Sequence, residues 1–429
     1  MGKRKISKVF HLCFTFFFFC IFPYFVSPST SLADECSISS TVSNVDDVNG
    51  NLPPNNRRKT TVSSSVLIAD VPLFVFGDSL YDPGNNNYIN TTTDFQANFL
   101  PYGQTHFEFA TGRFSDGRLI PDFIAKYAGL PLIPPYFQSS YHQFGYGVNF
   151  ASGGGGALVE TYQGLAIDLK MQLLYFKDVE KQLRERVGDK ETQKLMSNAV
   201  YMFSIGGNDL IAPNPIFSSF SSQDYIHIII GNFTSVLKEI YKAGGRKFGL
   251  LSLVPVGCLP YIRVHNGDGS ELCVEEFTKL VNQYNDALSE AIHQLQNQLQ
   301  GFIYSKFDLY NAVFQRIQNP SKYGFKDVKS GCCGSGIYRA NYTCGGKRGE
   351  EQEYEVCDHP EDHFFFDSYH PSEKAYNQLS KLMWDGPPSV TSPYTLKALF
   401  QLGDSASAHI TQQEEYLSSD IPEFCEEKN

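Results

Sequence analysis

The sequence lacks several features that would each point to a particular class of protein. It has no basic excess, since 35 Lys and Arg stand against 46 Asp and Glu, and this argues against nucleic acid as the main partner. It has no C-x-x-C pair, which ranks zinc below disulfides as the use of its cysteines. It has no G-x-S-x-G sequence, which argues against a conventional α/β-hydrolase. Beyond the N-terminal segment, no apolar run is long enough to span a bilayer.

The composition is that of a globular protein with abundant aromatic side chains. Hydrophobic residues make up 42 % of the 429 positions and charged residues 19 %, so a packed core is feasible and wholesale disorder is excluded. The 35 Phe and 25 Tyr residues would suit a pocket for apolar or aromatic ligands. Ordinary core packing is the expected use of most of these rings.

The N-terminus has the pattern of a secretory signal peptide. Basic residues at positions 3–8 precede an apolar run at 9–26, and a small-residue cleavage site follows at Ser31-Leu32-Ala33. A membrane anchor is the alternative, because the run is near the lower length limit for spanning. Pro23 and the Ser/Pro/Thr-rich stretch after it favour cleavage. We therefore expect a soluble product that is secreted to the extracellular space.

Cysteine usage and glycosylation sequons agree with this route. Eight cysteines remain after the signal, and an even number in an exported chain indicates disulfides, although the sequence does not specify their pairing. A bridge between Cys36 and Cys425, which lie outside the core, is a hypothesis. The sequons at Asn90, Asn232 and Asn341 are candidate glycan acceptors.

The chain divides into a predicted signal peptide (1–33), a flexible lead-in (34–70), one domain (71–402) and an acidic tail (403–429). Strand-like apolar runs alternate in the domain with stretches of helical period, which predicts a doubly wound parallel sheet covered by helices on both faces. The predicted strands are 71–76, 147–150, 200–205, 248–254 and 302–307, and the main predicted helices are 167–187, 225–243 and 274–299.

The first candidate catalytic residue follows the first predicted strand, in Gly77-Asp78-Ser79-Leu80. Ligands of parallel α/β sheets bind beyond the carboxyl ends of the strands, so Ser79 lies where a nucleophile would be useful. The alternative is that Asp78 and Ser79 only cap a following helix.

A serine nucleophile needs a base, and the base needs an orienting group. Asp367 and His370, three positions apart in one loop, supply such a pair. Asp224 and His227 have the same spacing but open an apolar helical stretch, where we expect the aspartate to cap and the histidine to pack. The acidic and histidine residues at 358–363 match no zinc signature and are interpreted as solvated loop charges.

Acyl chemistry at such a serine also needs hydrogen-bond donors for the oxyanion that develops at the attacked carbonyl. The glycine-rich turn, residues 152–156, offers backbone N–H groups, and Asn208 follows a strand-like run in Gly206-Gly207-Asn208-Asp209. Each segment alone is more often a simple loop. Their occurrence after strands, between a serine and an Asp/His pair, favours a catalytic assembly.

These four segments, in this order, resemble the four motif blocks of the GDSL esterase/lipase family, within the SGNH hydrolases. The residues around them are similar to the plant branch, notably Asp82-x-Gly84-Asn85-Asn86, the segment 111–117 and Val254-Pro255-x-Gly257-Cys258. The resemblance covers about residues 71–402. The sequence departs from the family pattern at Phe365-Phe366, where a Phe-Trp pair is common, and it has a longer lead-in and a longer tail.

The resemblance implies a three-layer, flavodoxin-like α/β/α fold with a central parallel sheet of about five strands. It implies Ser79 as nucleophile, His370 as base and then acid, and Asp367 as the group that orients His370. Gly153 and Asn208 would complete the oxyanion hole with the Ser79 N–H, and Gly154 is a rival to Gly153. No metal or organic cofactor is required.

Three functions follow as hypotheses. The first is a secreted serine esterase or lipase that acts on a small-molecule or lipid ester. The second is an acyltransferase that delivers the same acyl group to an alcohol acceptor. The third is a binding or signalling protein on an inactive scaffold, and the intact motif blocks argue against it. The sequence leaves the substrate and the oligomeric state unspecified.

Overall fold

A computed structural model of the protein describes residues 68–403, except 141, 213–218, 268–271, 342–343 and 345–353. The predicted signal peptide, nearly all of the predicted lead-in and nearly all of the predicted tail lie outside the described residues. The same holds for Cys36 and Cys425, so their bridge stays a prediction.

The described part of the chain is built on a mixed five-stranded sheet. Its strands, in spatial order, are Leu73–Gly77 (β1), Val200–Ser204 (β2), Lys247–Leu251 (β3), Ile303–Phe307 (β4) and Thr391–Pro393 (β9). Strands β1 to β4 run parallel, and β9 pairs antiparallel with β4 at the edge. The predicted α/β/α class is confirmed, with the difference that the fifth strand is antiparallel. The strands are β1 Leu73–Gly77, β2 Val200–Ser204, β3 Lys247–Leu251, β4 Ile303–Phe307, β5 Asp327–Gly331, β6 Cys333–Gly334, β7 Glu355–Val356, β8 His363–Phe365 and β9 Thr391–Pro393.

The predicted strand at 147–150 forms only isolated parallel bridges, in which Asn149 pairs with Val75 of β1 and with Pro135. The Val75 N–H donates to the Val148 carbonyl at 3.0 Å, and the Phe150 N–H donates to the Val75 carbonyl at 2.7 Å. The Ser152 N–H continues the contact to the Gly77 carbonyl at 3.0 Å. The glycine-rich turn therefore starts at the carboxyl end of β1.

Helices cover both faces of the sheet, as the alternating pattern predicts. The three long predicted helices are confirmed as Leu169–Val187 (α2), Ser222–Lys242 (α5) and Glu275–Gln298 (α7). Among the described helices, none combines the length and apolarity needed to cross a bilayer. The helices are α1 Ile120–Tyr127, α2 Leu169–Val187, α3 Asp189–Asn198, α4 Gly207–Ile211, α5 Ser222–Lys242, α6 Pro260–His265, α7 Glu275–Gln298, α8 Leu309–Gln318, α9 Glu373–Asp385 and α10 Leu396–Gln401.

The strands are buried because each face contacts helices. Alternate side chains of a strand point to opposite faces, so Phe74 and Phe76 share one face, where both rings contact Phe176 of α2. On the other face, the backbone of Gly249 in β3 approaches Leu396 of α10 so closely that an added Cβ would lie 2.8 Å from it. This double burial explains the continuous apolar runs in the sequence.

One local expectation at the start of α5 is wrong. Ser221 is the N-cap residue, its hydroxyl accepting from the Asp224 N–H at 3.1 Å, whereas Asp224 lies in the first turn and accepts from the Ser221 hydroxyl at 2.6 Å. His227 is exposed rather than packed. An N-terminal Asp fits either position of a first turn, and the spacing did not distinguish them.

Two small sheets and the disulfides lie around the segment that carries Asp367 and His370. Strand β8 pairs parallel with β5, and β6 pairs antiparallel with β7. The predicted use of the cysteines in disulfides is confirmed for those in the described part of the chain, which form three bridges: Cys258–Cys273, Cys332–Cys357 and Cys333–Cys344. The backbone N–H of Cys333 donates to the Phe366 carbonyl at 2.7 Å. Two of the bridges therefore support the loop that follows β8.

Candidate active site

Ser79, His370 and Asp367 form a continuous hydrogen-bonded line. The Ser79 Oγ lies 2.7 Å from the His370 Nε2. The His370 Nδ1 lies 2.9 and 2.8 Å from the two carboxylate oxygens of Asp367. This is the arrangement in which an imidazole can take a proton from a hydroxyl while a carboxylate fixes its orientation.

The Asp367 carboxylate is fully buried and surrounded by donors. Its Oδ1 accepts from the backbone N–H groups of Tyr369 (2.8 Å) and His370 (2.7 Å), and its Oδ2 accepts from the Tyr102 hydroxyl at 2.7 Å. Burial raises the pKa of Asp367, but the charge of His370 and these hydrogen bonds outweigh it and hold the pKa below its usual range. The group is therefore ionised when it supports His370.

Tyr102 is a site residue that sequence reasoning missed. It is fully buried, its ring contacts Phe366 edge-on with centroids 5.5 Å apart, and its hydroxyl accepts from the Cys344 N–H at 3.2 Å. Cys344 is disulfide-bonded to Cys333. Tyr102 therefore connects the cross-linked segment to the carboxylate of the triad, and no local pattern in the sequence indicates this long-range contact.

The turn that carries Ser79 is fixed from both sides. Gly77 has φ 143°, and a Cβ there would lie 2.2 Å from the Ser204 carbonyl oxygen, so glycine is required at the end of β1. The buried Gln172 side chain accepts from the Gly77 N–H and donates to its carbonyl, both at 2.8 Å. Asp78 is buried and accepts from the Ser204 hydroxyl at 3.1 Å. Burial raises the pKa of Asp78 to about 7.

The segment after the nucleophile holds the glycine-rich turn in place. The Asn85 side chain donates to the carbonyls of Asn149 and Ala151 at 2.9 and 2.8 Å. The Asn86 side chain donates to the Gly153 carbonyl at 2.8 Å and accepts from the Ser152 hydroxyl at 2.5 Å. These contacts give a structural reason for the paired asparagines.

The backbone N–H of Gly153, the predicted oxyanion donor, has a different acceptor in this structure. It donates to Asp82 Oδ2 at 2.9 Å, and Asp82 also accepts from the N–H groups of Gly84 and Asn85. The Gly154 N–H has no acceptor among the described residues, and Gly154 lines the same cavity as Ser79. The geometry thus favours the rival glycine, because an engaged donor is not available to a developing oxyanion.

Asn208 lies in α4 and lines the cavity beside Ser79. One hydrogen of its side-chain amide is used, because Nδ2 donates to the Gly155 carbonyl at 3.0 Å; an amide carries two, so a second donor remains. The neighbouring Asp209 accepts from the N–H groups of Ala157 and Leu158 at 2.9 and 3.0 Å. The structure therefore brings Asn208 and the glycine-rich turn together.

The segment 111–117 supplies a wall next to His370. The Phe114 ring lies 4.8 Å from the His370 ring, centroid to centroid. Arg113 forms a buried two-point ion pair with Asp122 of α1, at 2.8 Å for both contacts. This pair anchors the backbone that presents Phe114.

Ser79 opens into a cavity of about 550 Å³, a size typical of small-molecule sites. Aliphatic side chains, aromatic rings and a few polar groups share its lining. Besides Asp78, Ser79, Gly153, Gly154, Ser204, Gly207, Asn208 and His370, the lining residues are Leu80, Asp94, Phe95, Phe114, Tyr162, Ile211, Leu251, Leu253, Val254, Val256, Leu259, Tyr261, His265, Asn341 and Tyr369.

The three sequons lie in different surroundings. Asn90 and Asn232 are exposed, whereas Asn341 is partly buried and lines the cavity. At 358–363, Asp362 pairs with Lys326 at 2.7 Å and His359 with Glu361 at 3.3 Å. Within the described residues no His/Cys/Asp/Glu group has the geometry of a metal site.

Comparison with known proteins identifies the family. The family model for GDSL-like lipases/acylhydrolases matches residues 73–383. The chain belongs to the GDSL-like lipase/acylhydrolase family.

Similar members of this GDSL family cover most of the chain. It is 49 % identical over 336 residues to GDSL esterase/lipase 1 of Arabidopsis thaliana, covering 77 % of this chain and 90 % of that protein. It is 48 % identical over 329 residues to a GDSL lipase of Tanacetum cinerariifolium, covering 77 % and 87 %. GDSL esterase/lipase 2 of Arabidopsis thaliana is 47 % identical over 358 residues, covering 82 % and 94 %. The predicted plant GDSL resemblance is confirmed, and the chain is a carboxylic ester hydrolase by class.

Proposed function

We propose that this GDSL enzyme is a secreted serine esterase that cleaves carboxylic esters in two steps through an acyl-enzyme on Ser79. The observation that carries the proposal is the 2.7 Å contact between Ser79 Oγ and His370 Nε2, in line with Asp367. A serine hydroxyl is inert at neutral pH unless such a base takes its proton.

The first step forms the acyl-enzyme. Ser79 Oγ bonds to the carbonyl carbon of the ester while its proton passes to His370 Nε2. The carbonyl oxygen takes the displaced electron pair and accepts from the N–H groups of Ser79 and Gly154 and from the Asn208 amide. The bond to the alcohol oxygen then breaks, and His370 gives its proton to the leaving alcohol.

The second step releases the acid. A water molecule gives a proton to His370 and bonds to the acyl carbon, and the Ser79 oxygen leaves with that proton. Asp367 remains ionised throughout and stabilises the imidazolium formed in each step. The low pKa of Asp367, held down by His370 and Tyr102 against the effect of burial, supports this role.

The decisive experiment compares two serine variants. Ser79→Ala should lower kcat on p-nitrophenyl butyrate by about 10⁴-fold or more and abolish labelling by a fluorophosphonate probe, with mass spectrometry locating the label on the Ser79 peptide. Ser305→Ala is the matched control, because Ser305 is buried in β4, its hydroxyl has no partner among the described residues, and it is not among the cavity-lining residues. Retained turnover in Ser79→Ala would overturn the proposal.

The acyl acceptor is measured in the same assay. Water as acceptor gives the free acid, whereas transfer to an added alcohol gives a new ester, so product analysis with and without ethanol separates hydrolase from acyltransferase. We expect the free acid as the main product, because family membership supports ester hydrolysis.

We also propose that the chain is exported and carries glycans on Asn90 and Asn232. The basic and apolar N-terminus and the disulfides support export, and the exposure of both asparagines supports modification. Asn341 completes the set of candidate acceptors, although its partly buried position beside the cavity disfavours it. Secreted protein should begin after Ala33 and lose mass with an N-glycosidase, whereas an intracellular full-length chain without glycans would contradict the proposal.

A further inference from the structure

Three tyrosines of the cavity lining, Tyr162, Tyr261 and Tyr369, have no part in the triad or the oxyanion hole. We refer to them as the phenol wall. All three side chains are partly buried. A set of phenols beside a nucleophile requires an explanation, because apolar packing alone is served equally well by phenylalanine.

Two members of the phenol wall are positioned by the loop that carries His370: Tyr369 belongs to this loop, and Tyr261 is hydrogen-bonded to it. Tyr369 lies between Asp367 and His370, and its ring stacks on that of Tyr261 with centroids 4.7 Å apart. The Tyr261 N–H donates to the Ser368 carbonyl at 3.0 Å. The Tyr261 ring also stacks on the His265 ring, with centroids 4.1 Å apart. Because the faces of the Tyr261 ring contact other rings, we expect a ligand in the cavity to contact the ring edge and the hydroxyl of Tyr261.

The third member is held in a strained conformation. Tyr162 has φ 47°, a left-handed backbone that non-glycine residues rarely adopt. Its ring contacts Phe95 edge-on, with centroids 4.9 Å apart. Strained residues of this kind persist where the surroundings fix them, and they cluster at ligand sites.

The phenol wall consists of neutral hydroxyl groups. Burial raises the pKa of Tyr162 to about 12 and, helped by the neighbouring phenols, raises the pKa of Tyr369. Protonated phenols both donate and accept hydrogen bonds, and the hydroxyl groups of a ligand can match them in both roles.

Part of the remaining lining is aliphatic. Ile211 lies in α4 three residues after Asn208, Leu251 is the last residue of β3, and Leu253 follows two residues later. These aliphatic side chains offer no hydrogen bonds and suit a hydrocarbon chain. The cavity lining therefore combines aliphatic side chains with three phenols, of which Tyr261 and Tyr369 lie at the His370 loop and Tyr162 contacts Phe95.

The mechanism assigns one part of the ester to each of these two sets of side chains. The leaving alcohol receives its proton from His370 Nε2, so it must lie against the loop that carries His370 and Tyr369. The acyl carbonyl must lie at Asn208, next to the aliphatic side chains. We propose that Tyr162, Tyr261 and Tyr369 form a subsite for the alcohol part of the substrate, and that this alcohol is polyhydroxylated.

This proposal rests on the proposed esterase function and narrows it to partial esters of polyols. The test compares kcat/KM for glyceryl monobutyrate and propyl butyrate, which share the acyl group and the three-carbon alcohol but differ by two hydroxyls. We expect the wild-type enzyme to favour glyceryl monobutyrate by about tenfold, because each substrate hydroxyl gains a hydrogen bond that propyl butyrate lacks.

The variants Tyr162→Phe and Tyr261→Phe should each reduce this preference by about threefold or more, and the double variant should bring the ratio close to one. Phenylalanine keeps the ring contacts with Phe95, Tyr369 and His265, so the loss is confined to the hydroxyl. Tyr304→Phe is the control: Tyr304 is partly buried in β4 and is not among the cavity-lining residues, so its variant should keep the wild-type ratio. If Tyr261→Phe does not fold, the ratio of kcat/KM values measured for Tyr162→Phe alone tests the proposed subsite.

The outcomes separate the two proposals. If both esters are hydrolysed by Ser79 with equal kcat/KM and the tyrosine variants change nothing, the subsite is refuted and the esterase function stands. If neither ester is hydrolysed and no probe labels Ser79, the esterase function itself fails. If the variants instead alter a preference between propyl 3-hydroxybutyrate and propyl butyrate, the phenol wall faces the acyl part and the assignment to the alcohol is overturned.

Discussion

Removing the hydroxyl of Tyr102 tests whether the Asp367 carboxylate, which we propose orients His370, depends on a residue 265 positions away. In Tyr102→Phe, Asp367 loses the 2.7 Å hydrogen bond from the phenol, and the Cys344 N–H loses its acceptor. The ring itself remains, so its edge-on contact with Phe366 is preserved. The variant therefore isolates one hydroxyl without opening a cavity.

The expected size of the effect follows from what remains around Asp367. Its carboxylate still accepts from the Tyr369 and His370 N–H groups and from the His370 ring, so its position is largely kept. A hydrogen bond to a charged group contributes about 1.5–3 kcal/mol to the free energy of unfolding. Only the part of this energy that stabilises the transition state more than the ground state affects kcat. We expect kcat to fall about tenfold and the free energy of unfolding to fall by about 1–3 kcal/mol.

The pH profile distinguishes positioning from general destabilisation. Because Tyr102 helps to hold the pKa of Asp367 low, its removal raises that pKa, and the carboxylate becomes protonated at higher pH. The acidic limb of kcat/KM should therefore move to higher pH in Tyr102→Phe.

Tyr201→Phe is the matched control, since Tyr201 is also fully buried and its hydroxyl donates to the Met196 carbonyl at 2.8 Å, in the central sheet. It should lose stability but keep the wild-type pH profile. A Tyr102→Phe enzyme with wild-type kcat and an unmoved acidic limb would refute the reasoning.

Three further predictions follow from the site. Asn208→Ala should lower kcat by about 10²–10³-fold with little change in KM, because it removes an oxyanion donor; a loss confined to KM would contradict this. Burial raises the pKa of Asp78 from 3.8 to about 7, so the native state binds more protons than the unfolded state between these two values, and stability should fall as the pH rises from about 4 to about 7. Urea unfolding should show this slope weakened in Asp78→Asn, and an unchanged slope would contradict it. Gly77→Ala should destabilise the fold by about 2 kcal/mol or more, since it combines a left-handed φ with a clash against Ser204; a wild-type thermal midpoint would contradict it.

The parts of the fold predicted from the sequence are those with a strong local signal. Strands β1, β2 and β3 are short, largely apolar runs because both of their faces are buried, whereas β4 alternates buried and partly buried residues. Helices α2, α5 and α7 show a clear helical period. The edge strand Thr391–Pro393 was not predicted, because three residues ending in proline carry no apolar run. The segment 147–150 has the composition of a strand but forms a single bridge to β1.

For the site, sequence motifs indicated which residues converge but not which atoms are engaged. Ser79, Asp367 and His370 lie in motifs whose local spacing carries information. The occupied N–H of Gly153 depends on the position of the Asp82 carboxylate, 71 positions earlier, and Tyr102 acts through a contact of the same long-range kind. Such contacts are set by tertiary packing and leave no periodic trace in the chain.

The separation of Ser79 from His370 by 291 positions has a consequence for biosynthesis. A growing polypeptide presents the serine while the histidine has not yet been translated, so the hydroxyl is an ordinary, unreactive alcohol. Ester cleavage becomes possible only when the distant loop is made and docks beside β1. The enzyme is therefore inactive while nascent, without a separate inhibitory segment.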